Sequence, residues 1–245
     1  MEKFQPLANT APDTFPKKIR FYGRMILDLQ ILTIFRDVKK RIPYFKGNVL
    51  DVGCGDSPYR FLLKKEQTSY FGIDIADAVK FDYKNPDVTP FNGEDIPFED
   101  EKFDAVICTE VLEHVEKYQK LTDELYRVMK NGATGVITIP WSARYHYIPW
   151  DYFRYTPSSL KTIFGRFNEV VIKPRGTDVA VIASKIIVMY FRNLLPRQLW
   201  RWIFVPFWIC ICPLLILTIM VAHIALWFKL GTDEDPLGYT IIVKK

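Results

Sequence analysis

Histidine is scarce in this chain, with three in 245 residues: His114, His146 and His223. Any imidazole chemistry therefore has few addresses. Cysteine is almost as rare, and Cys54, Cys108, Cys210 and Cys212 show no metal-ligand spacing. Two of them stand in an apolar run, which argues against a disulfide framework and fits a reducing compartment. No metal is expected from this pattern. An excess of one charge is also lacking: 33 Lys and Arg face 28 Asp and Glu, a net +5. That is too mild for a dedicated nucleic-acid binder, and no zinc finger, basic helix or aromatic RNA-binding signature appears. Met1 to Thr14 is polar and lacks the apolar core of a secretion signal.

A further absence concerns glycine. Val49-Leu-Asp-Val-Gly-Cys-Gly-Asp56 joins a short apolar, β-branched run to a glycine turn. Gly53 and Gly55 let the backbone turn tightly and approach a ligand, but position 58 is Pro58, so G-x-G-x-x-G is incomplete. Hydride transfer on a dinucleotide loses ground accordingly. Asp51 interrupts the apolar run, where an unpaired charge is expensive to bury. Tyr70-Phe-Gly-Ile-Asp-Ile75 is a second apolar strand, ending in Asp74 about 20 residues on, where an acid accepts ribose hydroxyls in nucleotide-binding βαβ units. Gly93-Glu-Asp-Ile-Pro-Phe98 is a turn with an acid beside an apolar residue, suited to an adenine ring and its amino group. Phe103 to Cys108 reads as a further buried strand running into Thr109-Glu-Val-Leu-Glu-His114.

In this order the four motifs resemble the S-adenosylmethionine-dependent methyltransferases of the small-molecule group, over about Val49 to Arg175. The resemblance implies a doubly wound α/β fold: a mostly parallel seven-stranded sheet with helices on both faces. It implies S-adenosylmethionine as cofactor and a role for each matched position. Asp51, Gly53, Cys54 and Gly55 would surround the methionine part, Asp74 with Ile75 the ribose, and Asp95 with Ile96 the adenine. Thr109 and Glu110 would line the pocket near the transferred methyl.

Methyl transfer needs an aligned nucleophile and often a base for its proton. His114 lies where the resemblance commonly places a histidine; its plain alternative is capping or packing. Trp141 to Thr156 holds the better cluster, with His146 as candidate base and Asp151 as its orienting acid. Arg144, Tyr145, Trp150, Arg154 and Tyr155 are candidates for holding a phosphate, a sugar or an aromatic ring. The plain alternative is a structural loop with Arg154 paired to Asp151.

Ile203 to Phe228 carries no charge except through His223. The run exceeds the roughly 20 residues that a spanning helix needs, and Trp200, Trp202, Trp208 and Trp227 crowd its ends. Gly238 to Lys244 reads as the antiparallel last strand that the resemblance implies, so everything between it and the preceding strand must leave and return on one side. Asp178 to Leu195 is apolar but holds Lys185 mid-run, at roughly 2.5–3.5 kcal/mol for a bilayer centre. Pro206 and Pro213 interrupt the helical pattern. A re-entrant or surface-lying insertion is expected, with a two-span hairpin as the alternative. Pro16 to Arg41 reads as one basic amphipathic helix, striped by Ile19, Tyr22, Ile26, Leu29 and Thr33, which suits either a membrane surface or a cover for the cofactor pocket.

The expected organisation is an N-terminal helical segment (1–44), the methyltransferase domain (45–177), a membrane-associated helical insertion (178–234) and a returning strand (235–245). The expected activity is O-methylation of an amphipathic acceptor, a lipid-linked sugar or an isoprenoid quinone precursor, with the catalytic domain on the cytoplasmic membrane face. Lipid N- or C-methylation and a non-catalytic adaptor that binds S-adenosylmethionine are the alternatives. Expected partners are the membrane and a lipid-type substrate, with no nucleic acid; oligomeric state is not legible.

Overall fold

The computed structural model describes residues 9–75, 88–196 and 198–245. Its seven strands form one sheet: β1 (Gly47–Val52), β2 (Thr68–Ile75), β3 (Val88–Phe91), β4 (Phe103–Thr109), β5 (Met129–Pro140), β6 (Glu169–Arg175) and β7 (Gly238–Lys244). Their order is β3-β2-β1-β4-β5-β7-β6. Neighbours run parallel except that β7 is antiparallel to both β5 and β6. The apolar run at β1 forms a central strand, with Val49, Leu50 and Val52 fully buried and Asp51 enclosed among them.

One face of the sheet is covered by α3 (Tyr118–Val128) and α4 (Pro157–Ile163), through Leu121, Leu125, Leu160 and Phe164. Thr156 caps α4, its side chain accepting from Ser159 N. The other face is covered by the N-terminal α1 (Phe15–Leu27) and α2 (Leu29–Val38), whose Phe21, Met25, Ile34 and Phe35 pack on Val49, Ile107 and Val136. Between β1 and β2 lie turns and a short 3-10 segment, Arg60–Leu62. The N-terminal helices thus cover the surface that a crossover helix would otherwise bury.

The single helix expected over Pro16 to Arg41 is two helices. Asp28 stands between them in extended geometry (φ −100°, ψ 90°) and caps α2 by accepting from Ile31 N at 3.1 Å. Its other oxygen takes Arg24 Nη2 at 2.9 Å. An aspartate that satisfies the first turn of a new helix ends the old one. The expected stripe divides as a result: Leu29 and Thr33 are buried, whereas Ile19, Tyr22 and Ile26 face outward and Phe21 and Met25 face the sheet.

Residues 178–234 separate β6 from β7. They form α5 (Asp178–Leu194), a 3-10 segment (Leu199–Phe204), α6 (Val205–Cys210) and α7 (Cys212–Phe228). Pro206 and Pro213 sit in the first turns of α6 and α7, where the missing N–H has no partner to lose. Ile211 leaves helical geometry between them, so the apolar run is bent rather than continuous. Ala180, Ala183 and Ala222 bring α5 and α7 close, against Leu29 of α2 and Leu237. Among the described residues no single helix is long and apolar enough to cross a membrane; Asp178–Leu194 with Leu199–Cys210, a bent pair, passes together by length and composition. Arg175 and Gly238 are register partners, so the insertion leaves and re-enters at one place. Thr177 Oγ1 to Leu230 O (2.6 Å) and Asp178 N to Thr232 O (3.0 Å) clasp that base.

Candidate active site

The strand order reverses between β1 and β4, and in open α/β sheets ligands bind outside the carboxyl ends of the strands at such a point. Gly53 (φ 65°) and Gly55 (φ 49°) turn the chain there in the left-handed region. A Cβ on Gly53 would lie 2.4 Å from Val111 Cγ2, so the loops after β1 and β4 touch at this residue. Asp74, at the end of β2, accepts Gly55 N on Oδ2 (2.7 Å) and Ile75 N on Oδ1 (2.8 Å). Each oxygen keeps lone-pair capacity for a further donor, and burial holds this carboxyl above its ordinary range. Asp51 accepts from Tyr70 Oη at 2.8 Å, and burial pushes its pKa up to about 7. Cys54 is buried beside Gly72, where a Cβ would meet its sulfur at 2.9 Å; burial raises its thiol, so it fills space rather than reacting.

The turn after β3 abuts this group, since a Cβ on Gly93 would meet Ile75 Cγ2 at 3.5 Å. Ile96 is buried, and its N–H donates to Glu124 Oε2 at 2.9 Å. Asp95 does not stand open to an amino group: Lys120 Nζ lies 2.7 Å from Oδ1, and Asn92 Nδ2 donates to Oδ2 at 2.8 Å. The hydrogen bond from Lys120 holds its carboxyl below the usual range.

Thr109 ends β4, and Glu110 follows at φ 55°, a conformation that non-glycine residues adopt at a cost. Glu110 Oε1 accepts from Arg175 Nη2 at 2.8 Å. The Arg175 side chain is fully enclosed and also donates to Ile139 O at 2.9 Å. Sequence reading missed Arg175. Its one signal was a cation at the end of a strand leading into an apolar segment, where a buried charge needs a partner.

The segments 112–114 and 141–156 meet above β4 and β5. The rings of His114 and His146 lie 5.0 Å apart. Asp151 Oδ2 sits 3.0 Å from His146 Nδ1 and accepts His146 N at 2.9 Å. His114 Nδ1 lies 2.5 Å from Trp150 O, and burial lowers the His114 pKa to about 4. The three candidate catalytic residues are therefore one cluster. Glu113, which sequence reading passed over, is fully buried beside them, with Oε1 3.5 Å from His114 Nε2.

The candidate acceptor-binding residues divide. Arg144, Tyr145 and Trp150 are exposed on this loop. Arg154 is bidentate on Asp151 (2.6 and 2.9 Å), the structural pairing weighed as its alternative. Tyr155 is corrected outright: it is buried in the core and donates its hydroxyl to Leu112 O at 3.0 Å, presenting no face to a substrate.

Residues 50–137 match the family described as a methyltransferase domain. This stretch, about a third of the chain, is similar to a methyltransferase domain. That similarity, with the solved neighbours named below, supports a methyltransferase that uses S-adenosylmethionine. The glycine turn and the two-sided carboxylate of Asp74 fit that cofactor; Asp95, tied to Lys120, fits it less directly. An uncharacterized protein of Methanocaldococcus jannaschii is 30% identical over 132 residues, 52% of this chain and 56% of the relative. A demethylmenaquinone methyltransferase of Listeria monocytogenes is 28% identical over 54% of this chain and 61% of its own. The chain thus spans little more than half the length of these curated relatives. Among solved structures, an S-adenosylmethionine-dependent methyltransferase from Archaeoglobus fulgidus superposes with a TM-score of 0.55 at 19% identity, covering 92% of this chain and 99% of that one. A possible histamine N-methyltransferase from Thermotoga maritima gives 0.54 at 14% identity, over 94% and 98%. These likenesses establish the fold around the methyltransferase domain.

Proposed function

We propose that this chain transfers a methyl group from S-adenosylmethionine to an amphipathic acceptor, an isoprenoid quinone precursor in first place, by O-methylation at the cytoplasmic face of a membrane. The observation that carries this reading is the placement of the apolar insertion. It leaves after β6 and returns into β7 at the sheet edge on which the loops after β1, β2, β4 and β5 converge. Arg175, at its root, is the residue that holds Glu110.

The insertion is apolar on its outside. Leu199, Trp200, Ile203, Trp227 and Phe228 each keep two thirds or more of their surface exposed, beyond what a soluble face usually shows. Phe15, Ile19, Tyr22 and Ile26 of α1 add to that surface, and His223 of α7 contacts Ile26 O at 3.0 Å. A groove of about 900 Å³ between α1, α2 and α7 is rimmed by Arg36, Lys39 and Lys40, cations suited to an anionic surface. The name of the Listeria relative favours a quinone over a lipid-linked sugar, with a ring carbon as the alternative nucleophile to an oxygen. The engagement of Arg154 by Asp151 weakens the phosphate-binding case for that sugar.

When bound, S-adenosylmethionine would supply an electrophilic methyl whose bond to sulfur breaks as its bond to the acceptor oxygen forms, with the neutral thioether S-adenosylhomocysteine as leaving group and the acceptor's proton passing to a base. Gly53, Gly55 and Asp74 orient the cofactor, Glu110 borders the methyl side, and the His114–His146 cluster is where the acceptor oxygen would be activated. The test is transfer from labelled S-adenosylmethionine into an extract of native membranes, followed by solvent partition. Label in the lipid phase, lost with Asp51→Ala, is expected. Bound cofactor without lipid label overturns the reading in favour of an adaptor, and label confined to the aqueous phase overturns the amphipathic acceptor.

A further inference from the structure

We infer that Glu113, His114 and His146 form a binding site for one divalent transition-metal ion of the zinc, iron and manganese class. One carboxylate oxygen and one ring nitrogen from each histidine lie within 4.8 Å of one another. The inference goes beyond methyl transfer and depends on no acceptor.

Two features of these side chains fit ligation better than packing. The first is Glu113. Its carboxyl is fully buried, and among the described residues neither oxygen accepts a hydrogen bond. An enclosed carboxyl with both oxygens unmet is costly unless a cation or proton meets it. The His114 imidazole lies 3.5 Å away, and the nearby Arg154 guanidinium is engaged by Asp151 rather than hydrogen-bonded to Glu113. The second is the orientation of both rings. His114 Nδ1 points at the Trp150 carbonyl, 2.5 Å away, so Nδ1 carries the proton and Nε2 keeps its lone pair. His146 Nδ1 is placed the same way, 2.9 Å from Arg144 O and 3.0 Å from Asp151 Oδ2. A backbone carbonyl or carboxylate behind the second ring nitrogen is the support that metal-bound histidines receive. Arg154 in turn anchors Asp151.

Two imidazoles and one carboxylate suit zinc, iron or manganese rather than calcium or magnesium. Ligands of one such ion stand about 3–3.5 Å apart when each bond is near 2.1 Å, so roughly an ångström of side-chain movement completes the set. Both histidines are partly open, with side-chain exposures of 20% and 26%, which gives the ion a way in. Three protein ligands leave positions for a substrate oxygen. An Nε2 that ligates an ion is not a base, so this role and that of a free imidazole base exclude each other.

The test uses the untagged full chain, stripped with chelator and titrated with Co2+, then Zn2+. Expected are one Co2+ per chain with visible ligand-field absorption, its displacement by Zn2+, and a rise in Tm on loading. Glu113→Gln keeps the side chain's shape in the core, and His146→Asn alters a half-open position, so each is compared with the wild type for fold in chelator. Each should weaken Co2+ binding tenfold or more. No stoichiometric binding, binding that both variants retain in full, or binding abolished by changing Cys210 and Cys212 instead would overturn the site.

Discussion

Replacing Asp51 by Asn should stabilise the protein above neutral pH while damaging its cofactor site. Asp51 is enclosed in β1, and burial pushes its pKa from 3.8 to about 7, with the Tyr70 hydroxyl donating to it. The folded chain therefore holds this proton up to about pH 7, whereas the unfolded chain releases it near 3.8. Between those values the folded state binds more protons, so the Asp51 contribution to stability falls as pH rises and its full cost is present above 7. About three pH units at 1.36 kcal/mol each give an upper figure of about 4 kcal/mol. Asn has no proton to lose and still offers Tyr70 an acceptor. The difference in Tm between Asp51→Asn and wild type should be near zero at pH 4 and roughly 10 °C in favour of Asn at pH 8. Thermal melts of the cofactor-free protein from pH 4 to 8 measure it directly. A difference that stays flat over that range would refute the argument, because a merely structural hydrogen bond has no such pH dependence. The carboxylate is then a group kept for a positively charged ligand at the expense of the fold.

Asp74→Ala should lower affinity for S-adenosylhomocysteine tenfold to a hundredfold by calorimetry, matching the roughly 1.5–3 kcal/mol of hydrogen bonds to a charged acceptor; unchanged affinity would remove Asp74 from the ribose site. Arg175→Met should destabilise by roughly 1–3 kcal/mol in denaturant melts, because it removes the donor to Glu110 and to Ile139 O, and Arg175→Met with Glu110→Gln should recover part of that loss. A loss under about 1 kcal/mol in the single variant would mean the pair contributes little.

The fold was legible where one signal dominated. The β-branched run at Val49 to Val52 and the segment Gly238 to Lys244 became strands because burial on both faces leaves little else for such residues to do. Residues 178–234 stood apart in the sequence because their apolar composition matches no surface of a doubly wound domain, and the structure places them between β6 and β7. Tertiary choices were hidden. Nothing local distinguishes Phe21 and Met25, which face the sheet, from Tyr22 and Ile26, which do not, since both pairs repeat at four residues. The break at Asp28 is a capping decision that competes with helix continuation by only about 1 kcal/mol. Asp95 carried the expected residue type in the expected turn, yet Lys120, from a helix elsewhere in the chain, decides what its carboxylate meets.

Glu113 shows most clearly why part of the site could not be read. In the sequence it is an acid beside a histidine, a pairing that on an exposed helix means nothing. Its significance comes from burial and from His146, which the 141–156 loop carries back over the end of β4. The same convergence joins the insertion to the chemistry. Arg175 lies at the register position where β6 hands the chain to the apolar segment, and its guanidinium reaches Glu110, three residues before Glu113. A segment with no role in holding the acceptor could have been attached at any of the sheet's loops. Here its root is bonded to Glu110, so, on the proposed reading in which Glu110 borders the methyl side, a change in how the insertion sits would reach that residue through the Arg175 ion pair. Arg175→Met, compared with Arg175→Met/Glu110→Gln at a temperature where both are folded, separates these roles: if the insertion only anchors the chain, vesicle binding and transfer per folded molecule both survive, whereas a positioning role lowers transfer while vesicle binding stays.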